Sequence, residues 1–101
     1  KKKSKKDDGT LVIDLHADEV LETTAGMNSA DILHYQMDIF KKTMEEYKKK
    51  KGQKIIFIHG KGEGVLRQTL IHELNYRYKS CTYQDASFQE YGYGATQVTI
   101  K

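Results

Sequence analysis

The pattern of hydrophobic and polar residues predicts four strands and two helices. Short apolar runs are typical of buried strands, and apolar residues three or four positions apart are typical of helices that cover a sheet. The predicted strands cover residues 10–15, 54–58, 82–88 and 95–100, and the predicted helices cover 28–51 and 63–79. Strands that alternate with helices favour parallel pairing, and the two final strands favour an antiparallel pair. The order β-α-β-α-β-β therefore predicts an α/β fold, a two-layer α+β sandwich with a four-stranded mixed sheet.

The first predicted helix has typical boundary residues. Asn28 or Ser29 can accept hydrogen bonds from its first N–H groups. At its other end, residues 48–51 are four lysines that precede Gly52, and lysines suit the negative end of a helix dipole. Such a cluster can also contact phosphates, but the helix end is sufficient to explain it. The preceding segment 17–27 is predicted to be a long loop, and long loops in compact domains are often functional.

The composition indicates one small domain. The chain has 101 residues, of which 38% are hydrophobic, enough for a single core. We predict a disordered basic linker over residues 1–9 and one domain over 10–101. The sequence has no transmembrane run and no signal-peptide pattern, so we expect no membrane association. Because it lacks an initiator methionine, we expect it to be part of a longer polypeptide.

The linker carries the whole net charge. Five lysines and two aspartates within residues 1–9 give the net charge of +3, whereas residues 10–101 contain equal numbers of basic and acidic side chains. A basic tail adds salt-dependent affinity for nucleic acid, although such a run is more often a solvated linker. The single cysteine, Cys81, excludes an intramolecular disulfide and a cysteine-based zinc site, and it indicates a reducing, cytoplasmic setting.

A glycine-rich turn between the second strand and the second helix is the most informative segment. Gly60, Gly62 and Gly64 alternate there with Lys61 and Glu63, directly after His59. Unpaired N–H groups and the dipole at a helix N-terminus attract anions, and glycines let a ligand approach the backbone closely. The spacing fits neither a P-loop nor a dinucleotide fingerprint. The turn is predicted to bind phosphate, and the alternative is a tight connection that binds nothing.

Polar residues at two strand ends form a second candidate site. Asp14 and His16 lie at the end of the first strand, and because they are two residues apart they share one face. His59 ends the second strand. Parallel strands end at the same edge of a sheet, so these three side chains are expected to converge on the glycine-rich turn. They could serve as acid, base or metal ligands, whereas each alone would more often be structural.

Three segments of the chain resemble the Smr (small MutS-related) domain. They are Ile13-Asp14-Leu15-His16, the segment from Ile58 to Arg67, and Gly92-Tyr93-Gly94-Ala95-Thr96. They are similar to the L-D-L-H-G, H-G-x-G-x-G-x-L-R and G-G-x-G-x-T segments of that family. The resemblance extends over residues 10–101 and is closest to Smr-like C-terminal domains of an uncharacterised bacterial protein family. Ala17 and Tyr91 depart from the pattern, since each stands where the family usually has glycine.

The resemblance implies a fold, an activity and site residues. The fold would be similar to the C-terminal domain of bacterial translation initiation factor three. Several members of the family are nicking or RNA-cleaving endonucleases, some of them helped by a divalent metal, and others bind nucleic acid without cleaving it. The implied catalytic residues are Asp14 and His16, with Mg²⁺ or Mn²⁺ on Asp14 as a variant. The implied nucleic-acid-binding or site-shaping residues are His59, Gly60, Lys61, Gly62, Gly64 and Arg67.

The sequence therefore predicts a domain that binds DNA or RNA and is a candidate phosphodiesterase. One alternative is a non-catalytic module that binds nucleic acid or a protein partner on behalf of a larger protein, which the balanced charge of residues 10–101 favours. Another is a site for a small phosphorylated ligand at the glycine-rich turn.

Overall fold

The computed structural model describes residues 3–5, 9–15, 26–60, 64–86 and 94–101. Its elements are β1 (Lys3–Lys5), β2 (Leu11–Asp14), α1 (Ser29–Tyr47), β3 (Lys54–Ile58), α2 (Val65–Arg77), β4 (Thr82–Asp85) and β5 (Ala95–Thr99). The predicted four strands and two helices are present in the predicted order. The predicted loop 17–27 lies almost entirely outside the described residues.

The strands form one mixed sheet in the order β1-β2-β3-β5-β4. β2 and β3 are parallel, and β5 is antiparallel to both β3 and β4, as the sequence predicts. The structure differs from the prediction at Lys3–Lys5, which lies within the predicted linker but pairs antiparallel with β2. This pairing uses backbone groups along an otherwise open strand edge, so it requires no apolar side chains and leaves no hydrophobic pattern in the sequence.

Both helices pack on one face of the sheet. Alternate residues of the central strands point toward them, among them Ile13 of β2 and Phe57 of β3, and the three inward leucines of α2 are buried. The ring of Phe40 in α1 meets that of Phe57 edge-on, with centroids 4.9 Å apart. Leu70 and Phe57 are fully buried, so the core lies between the helices and this face.

The other face of the sheet is also apolar. Val12, Ile56, Ala86 and Ala95 are buried there, and Ile58 packs against them. Parallel strands are commonly buried on both faces, which is why β2 and β3 are continuous apolar runs in the sequence.

The two helices begin in different ways. α1 has a complete capping box, in which the Asn28 side chain accepts the backbone N–H of Asp31 at 2.8 Å and Asp31 reaches back to Asn28. The prediction of a cap at this position is confirmed. α2 begins after Gly64, which has a left-handed backbone with φ of 82°. α1 ends at Tyr47, so the lysines at 48–51 follow the helix, where the sequence placed them inside its last turn.

Candidate functional site

A cleft opens at the carboxyl end of β3, between the first turns of the two helices. Its volume is about 380 Å³. Ile32 and Leu33 of α1 and Leu66 of α2 contribute an apolar wall, while Gly60, Gly64 and Arg67 contribute polar groups. Ligand sites in open α/β sheets are typically found beyond the carboxyl ends of the strands, and this cleft occupies that position.

The N-terminus of α2 lies at the cleft, and its N-cap residue, Gly64, has no side chain with which to cap it. Among the described residues, no side chain accepts a hydrogen bond from its first N–H groups, and its first turn contains no acidic residue. The N-terminus of α1, in contrast, is closed by Asn28 and Asp31. Uncapped N–H groups and the positive end of the helix dipole attract anions. Of the two helix starts that line the cleft, only that of α2 is suited to an anion.

Gly60 and Gly94 hold the cleft's glycine-rich end in place. The carbonyl oxygen of Gly94 accepts two backbone N–H groups, from His59 at 2.7 Å and from Gly60 at 2.9 Å. A Cβ atom on Gly94 would lie only 2.7 Å from the Cα of Gly60, so a side chain at residue 94 would push the turn away. Gly60 itself has φ of 78°, a conformation that favours glycine.

His59 shapes this end of the cleft through both ring nitrogens. Nδ1 lies 2.9 Å from the carbonyl oxygen of Gly60, and because a carbonyl oxygen only accepts, Nδ1 donates. Nε2 of the neutral ring then accepts the hydroxyl hydrogen of Thr96, also at 2.9 Å. The residue is 8% exposed. Of the two roles that the family resemblance implied, this geometry matches site shaping, since the ring links β3, the turn and β5.

Arg67 provides the positive side chain of the described cleft. Its guanidinium donates to a carboxylate oxygen of Asp85 in β4 at 3.0 Å, and both side chains are substantially exposed. Exposed ion pairs of this kind contribute about 0–1 kcal/mol. An incoming phosphate can therefore replace Asp85 at small cost, and the guanidinium offers it two parallel N–H donors.

Asp14 lies at the same edge of the sheet but on the opposite face from His59. It pairs in register with Ile58, one residue before His59, and the alternation along β2 places it on the face of Val12. The structure therefore brings His59, Gly60, Gly64 and Arg67 together at the cleft and does not bring Asp14 to them. The other three predicted site residues, His16, Lys61 and Gly62, lie outside the described residues.

The sequence did not single out two polar residues that organise the site. Gln36 of α1 lines the cleft and donates from Nε2 to the carbonyl oxygen of Leu15 at 2.8 Å, which ties the helix to the end of β2. Thr96 holds the ring of His59. The sequence indicated the role of Gln36 only by placing a glutamine within the inward stripe of an amphipathic helix. The role of Thr96 depends on the pairing of β3 with β5, two strands that are distant in the sequence.

The described residues do not form a donor set for a metal ion. Nowhere in the described ranges do three histidine, cysteine or carboxylate side chains come together at metal-binding distance. Asp14 lies on the face of the sheet away from the cleft. Neither described helix has the length and apolar character that crossing a bilayer requires.

The fold and the cleft together define a two-layer α/β domain with an anion-attracting helix start at its sheet edge. The family model of the Smr domain matches residues 25–101, so the chain belongs to the Smr domain family. This family is of the nucleic-acid-binding and nicking-endonuclease type. The match includes the glycine-rich turn and the Gly94 segment, and the segment with Asp14 lies before it. A comparison with curated proteins found no match.

Proposed function

We propose that this Smr domain binds nucleic acid by holding a backbone phosphate at the N-terminus of α2. The observation that carries the proposal is the uncapped start of this helix beside Arg67, in a cleft large enough for part of a nucleotide. The phosphate would accept N–H groups of the first turn of α2, and Arg67 would supply a full positive charge. The apolar wall at Ile32 and Leu33 would contact the sugar or base.

The glycine-rich turn would complete the phosphate site. Gly60 and Gly64 both have positive φ and border the cleft. Lys61 and Gly62 lie between them in the sequence, and we propose that the lysine adds a second positive charge. In this arrangement His59 does not contact the phosphate, because its ring nitrogens are engaged by Gly60 and Thr96.

A second, finer proposal is hydrolysis of the phosphodiester. His16 would remove a proton from the attacking water or hydroxyl, and Asp14 would orient the imidazole. Lys61 or Arg67 would stabilise the charge that develops on the phosphate oxygens before the leaving oxygen departs. Only the position of Asp14 along the sheet supports this role: Asp14 pairs with Ile58, at the edge where the glycine-rich turn begins.

Two observations favour a module that binds without cleaving. Asp14 lies on the face of the sheet opposite His59, and residues 10–101 carry balanced charge. A small phosphorylated molecule in the cleft is the remaining alternative.

Binding and cleavage assays on the same variants separate these functions. Fluorescence anisotropy with labelled DNA and RNA measures affinity, and gels report cleavage with and without Mg²⁺ or Mn²⁺. Arg67→Gln should weaken binding about tenfold, the equivalent of one charge-assisted hydrogen bond. Arg77→Gln is the matched control, because Arg77 pairs with Glu73 at the far end of the same helix.

Four outcomes are informative. Equal affinities of the two arginine variants would contradict the phosphate site. Loss of cleavage in His16→Ala with binding retained would support the hydrolytic proposal. Binding without cleavage under every condition would favour the non-catalytic module. A further outcome is that the domain fails to bind nucleic acid and still binds inorganic phosphate. If Arg67→Gln weakens that phosphate binding, the result favours the small phosphorylated ligand.

A further inference from the structure

A second concave surface lies at the opposite end of the sheet from the cleft. Its volume is about 380 Å³, and Lys50, Lys51 and Lys54 line it together with Gly9 and Gln53. We call it the lysine pocket. It is formed where the connection after α1 enters β3, beside the start of β2, and none of the site residues described above belongs to it.

The charge of the lysine pocket is uncompensated within the described part of the chain. There, none of its three lysines forms an ion pair with a carboxylate, whereas Lys48 just before them pairs with Glu45 at 2.6 Å. The ammonium group of Lys50 lies over the ring of Tyr47, 4.9 Å from its centroid. This contact positions the charge without neutralising it.

The dipole of α1 does not account for all three lysines. Because α1 ends at Tyr47, its last turn contains no basic residue. The favourable effect of a helix C-terminus falls off within about one turn. Lys51 lies beyond that reach along the chain, and Lys54 is the first residue of β3.

Backbone and side-chain hydrogen bonds give the lysine pocket a fixed shape. Gln53 donates from Nε2 to the carbonyl oxygen of Gly9 at 2.8 Å, which joins its two sides. Gly52 donates to Ile100 at 2.7 Å, and Ile100 donates back to Gln53 at 2.9 Å. Strand β1 also pairs Lys5, its last residue, with Leu11, so the backbone of β1 ends at the same end of the sheet as the pocket.

We propose that the lysine pocket binds a second phosphate of the nucleic-acid backbone whose first phosphate occupies the cleft. This inference rests on the proposed function. α1 starts at the cleft and ends at the lysine pocket, and its 19 residues span roughly 28 Å at 1.5 Å per residue. At about 3.4 Å per nucleotide along duplex DNA, the two sites would contact phosphates about eight base pairs apart.

The salt dependence of binding tests this inference. Binding of a labelled DNA duplex of about 16 base pairs, and of an RNA of the same length, is measured across a series of salt concentrations. Each phosphate contact adds about 0.9 to the slope of log affinity against log salt for a duplex, and about 0.7 for a single strand. Lys50→Gln with Lys51→Gln removes the one phosphate contact of the lysine pocket, so it should reduce the slope by about 0.7–0.9 and weaken binding at low salt.

Lys41→Gln with Lys42→Gln is the matched control. It removes two charges from α1, but these lysines share their surface with Asp38, Glu45 and Glu46. The control should leave the slope nearly unchanged. If the two double variants have equal slopes while Arg67→Gln still weakens binding, the inference about the lysine pocket is overturned and the proposed function stands. Failure of the unsubstituted domain to bind either probe would overturn both this inference and the proposed function.

Discussion

Gly94 and Gly60 are in backbone contact, and this contact joins the two glycine-bearing segments of the family. The N–H of Gly60 donates to the carbonyl oxygen of Gly94 at 2.9 Å, and a Cβ on Gly94 would lie 2.7 Å from Gly60 Cα. The cleft therefore depends on a residue more than thirty positions away in the sequence. Glycine is required at residue 94 because the neighbouring backbone occupies the space of a side chain.

Gly94→Ala should displace the turn that begins at Gly60. We expect the free energy of unfolding to fall by about 1–3 kcal/mol, the usual cost of overpacking, and phosphate binding to weaken with it. Urea denaturation and a phosphate titration measure the two effects. Gly26→Ala is the comparison for backbone strain without crowding, since a Cβ there meets nothing within 4 Å although φ is 79°; it should leave phosphate binding unchanged. Unchanged phosphate binding by a folded Gly94→Ala variant would contradict this account of the contact.

Thr96→Val should leave Nε2 of His59 without its hydroxyl donor. Because the pair is buried, the free energy of unfolding should fall by about 1–3 kcal/mol. Thr96→Ser retains the hydroxyl and should recover most of this loss. Nitrogen chemical shifts of the His59 ring report whether hydrogen remains on Nδ1, as the bond to Gly60 requires. A ring with hydrogen on Nε2 alone would contradict the assigned tautomer.

Leu70→Ala should destabilise the domain by about 2–5 kcal/mol, because Leu70 is fully buried between α2 and the sheet. Val65→Ala on the same helix should cost about 0.5 kcal/mol or less, since Val65 is 53% exposed. Chemical denaturation of both variants measures the difference. Similar midpoints would mean that α2 presents a different face to the core.

Tyr78 should make stability depend on alkaline pH. Its burial, together with the hydrogen bond from its hydroxyl to Glu45, raises its pKa to about 12 from an ordinary value of 10.0. A raised pKa means that the folded state favours the neutral phenol. Its contribution is therefore complete below about pH 10 and is lost as the pH rises toward 12.

Tyr78→Phe isolates that contribution. The variant loses the bond to Glu45 and should be less stable at neutral pH by about 1 kcal/mol. The difference from the unsubstituted domain should narrow as the pH rises above about 10, because only the unsubstituted domain loses this contribution. Urea denaturation at several pH values measures it. A difference that stays constant into the alkaline range would argue against a raised pKa.

Local patterns in the sequence predicted most of the fold. The continuous apolar runs of β2 and β3 and the stripe of leucines in α2 are properties of neighbouring residues, so the order of elements could be derived. Strand β1 could not, since Lys3–Lys5 is polar and backbone pairing leaves no hydrophobic pattern in the sequence. The end of α1 was placed too late because lysine is a good helix former, and a run of lysines does not mark where a helix stops.

The site was predictable in part, for the same reason. The glycines at 60 and 64 and the helix start after them are local features, and in the structure they line the cleft. The position of Asp14 depends on strand register, which the sequence does not specify. Asp14 pairs with Ile58, so it is offset by one residue from His59, and an offset of one residue reverses the face. The side chains of Asp14 and His59 therefore leave the sheet on opposite faces.

Amide chemical shifts provide the most direct test of phosphate binding at the start of α2. A ¹H–¹⁵N titration of the domain with a short DNA or RNA oligonucleotide compares the first-turn amides of the two helices. The N–H groups of Val65, Leu66 and Arg67 should shift strongly, while those of Ala30 and Asp31 in the capped first turn of α1 should shift much less. Shifts confined to other parts of the domain, with the α2 amides unchanged, would contradict the account.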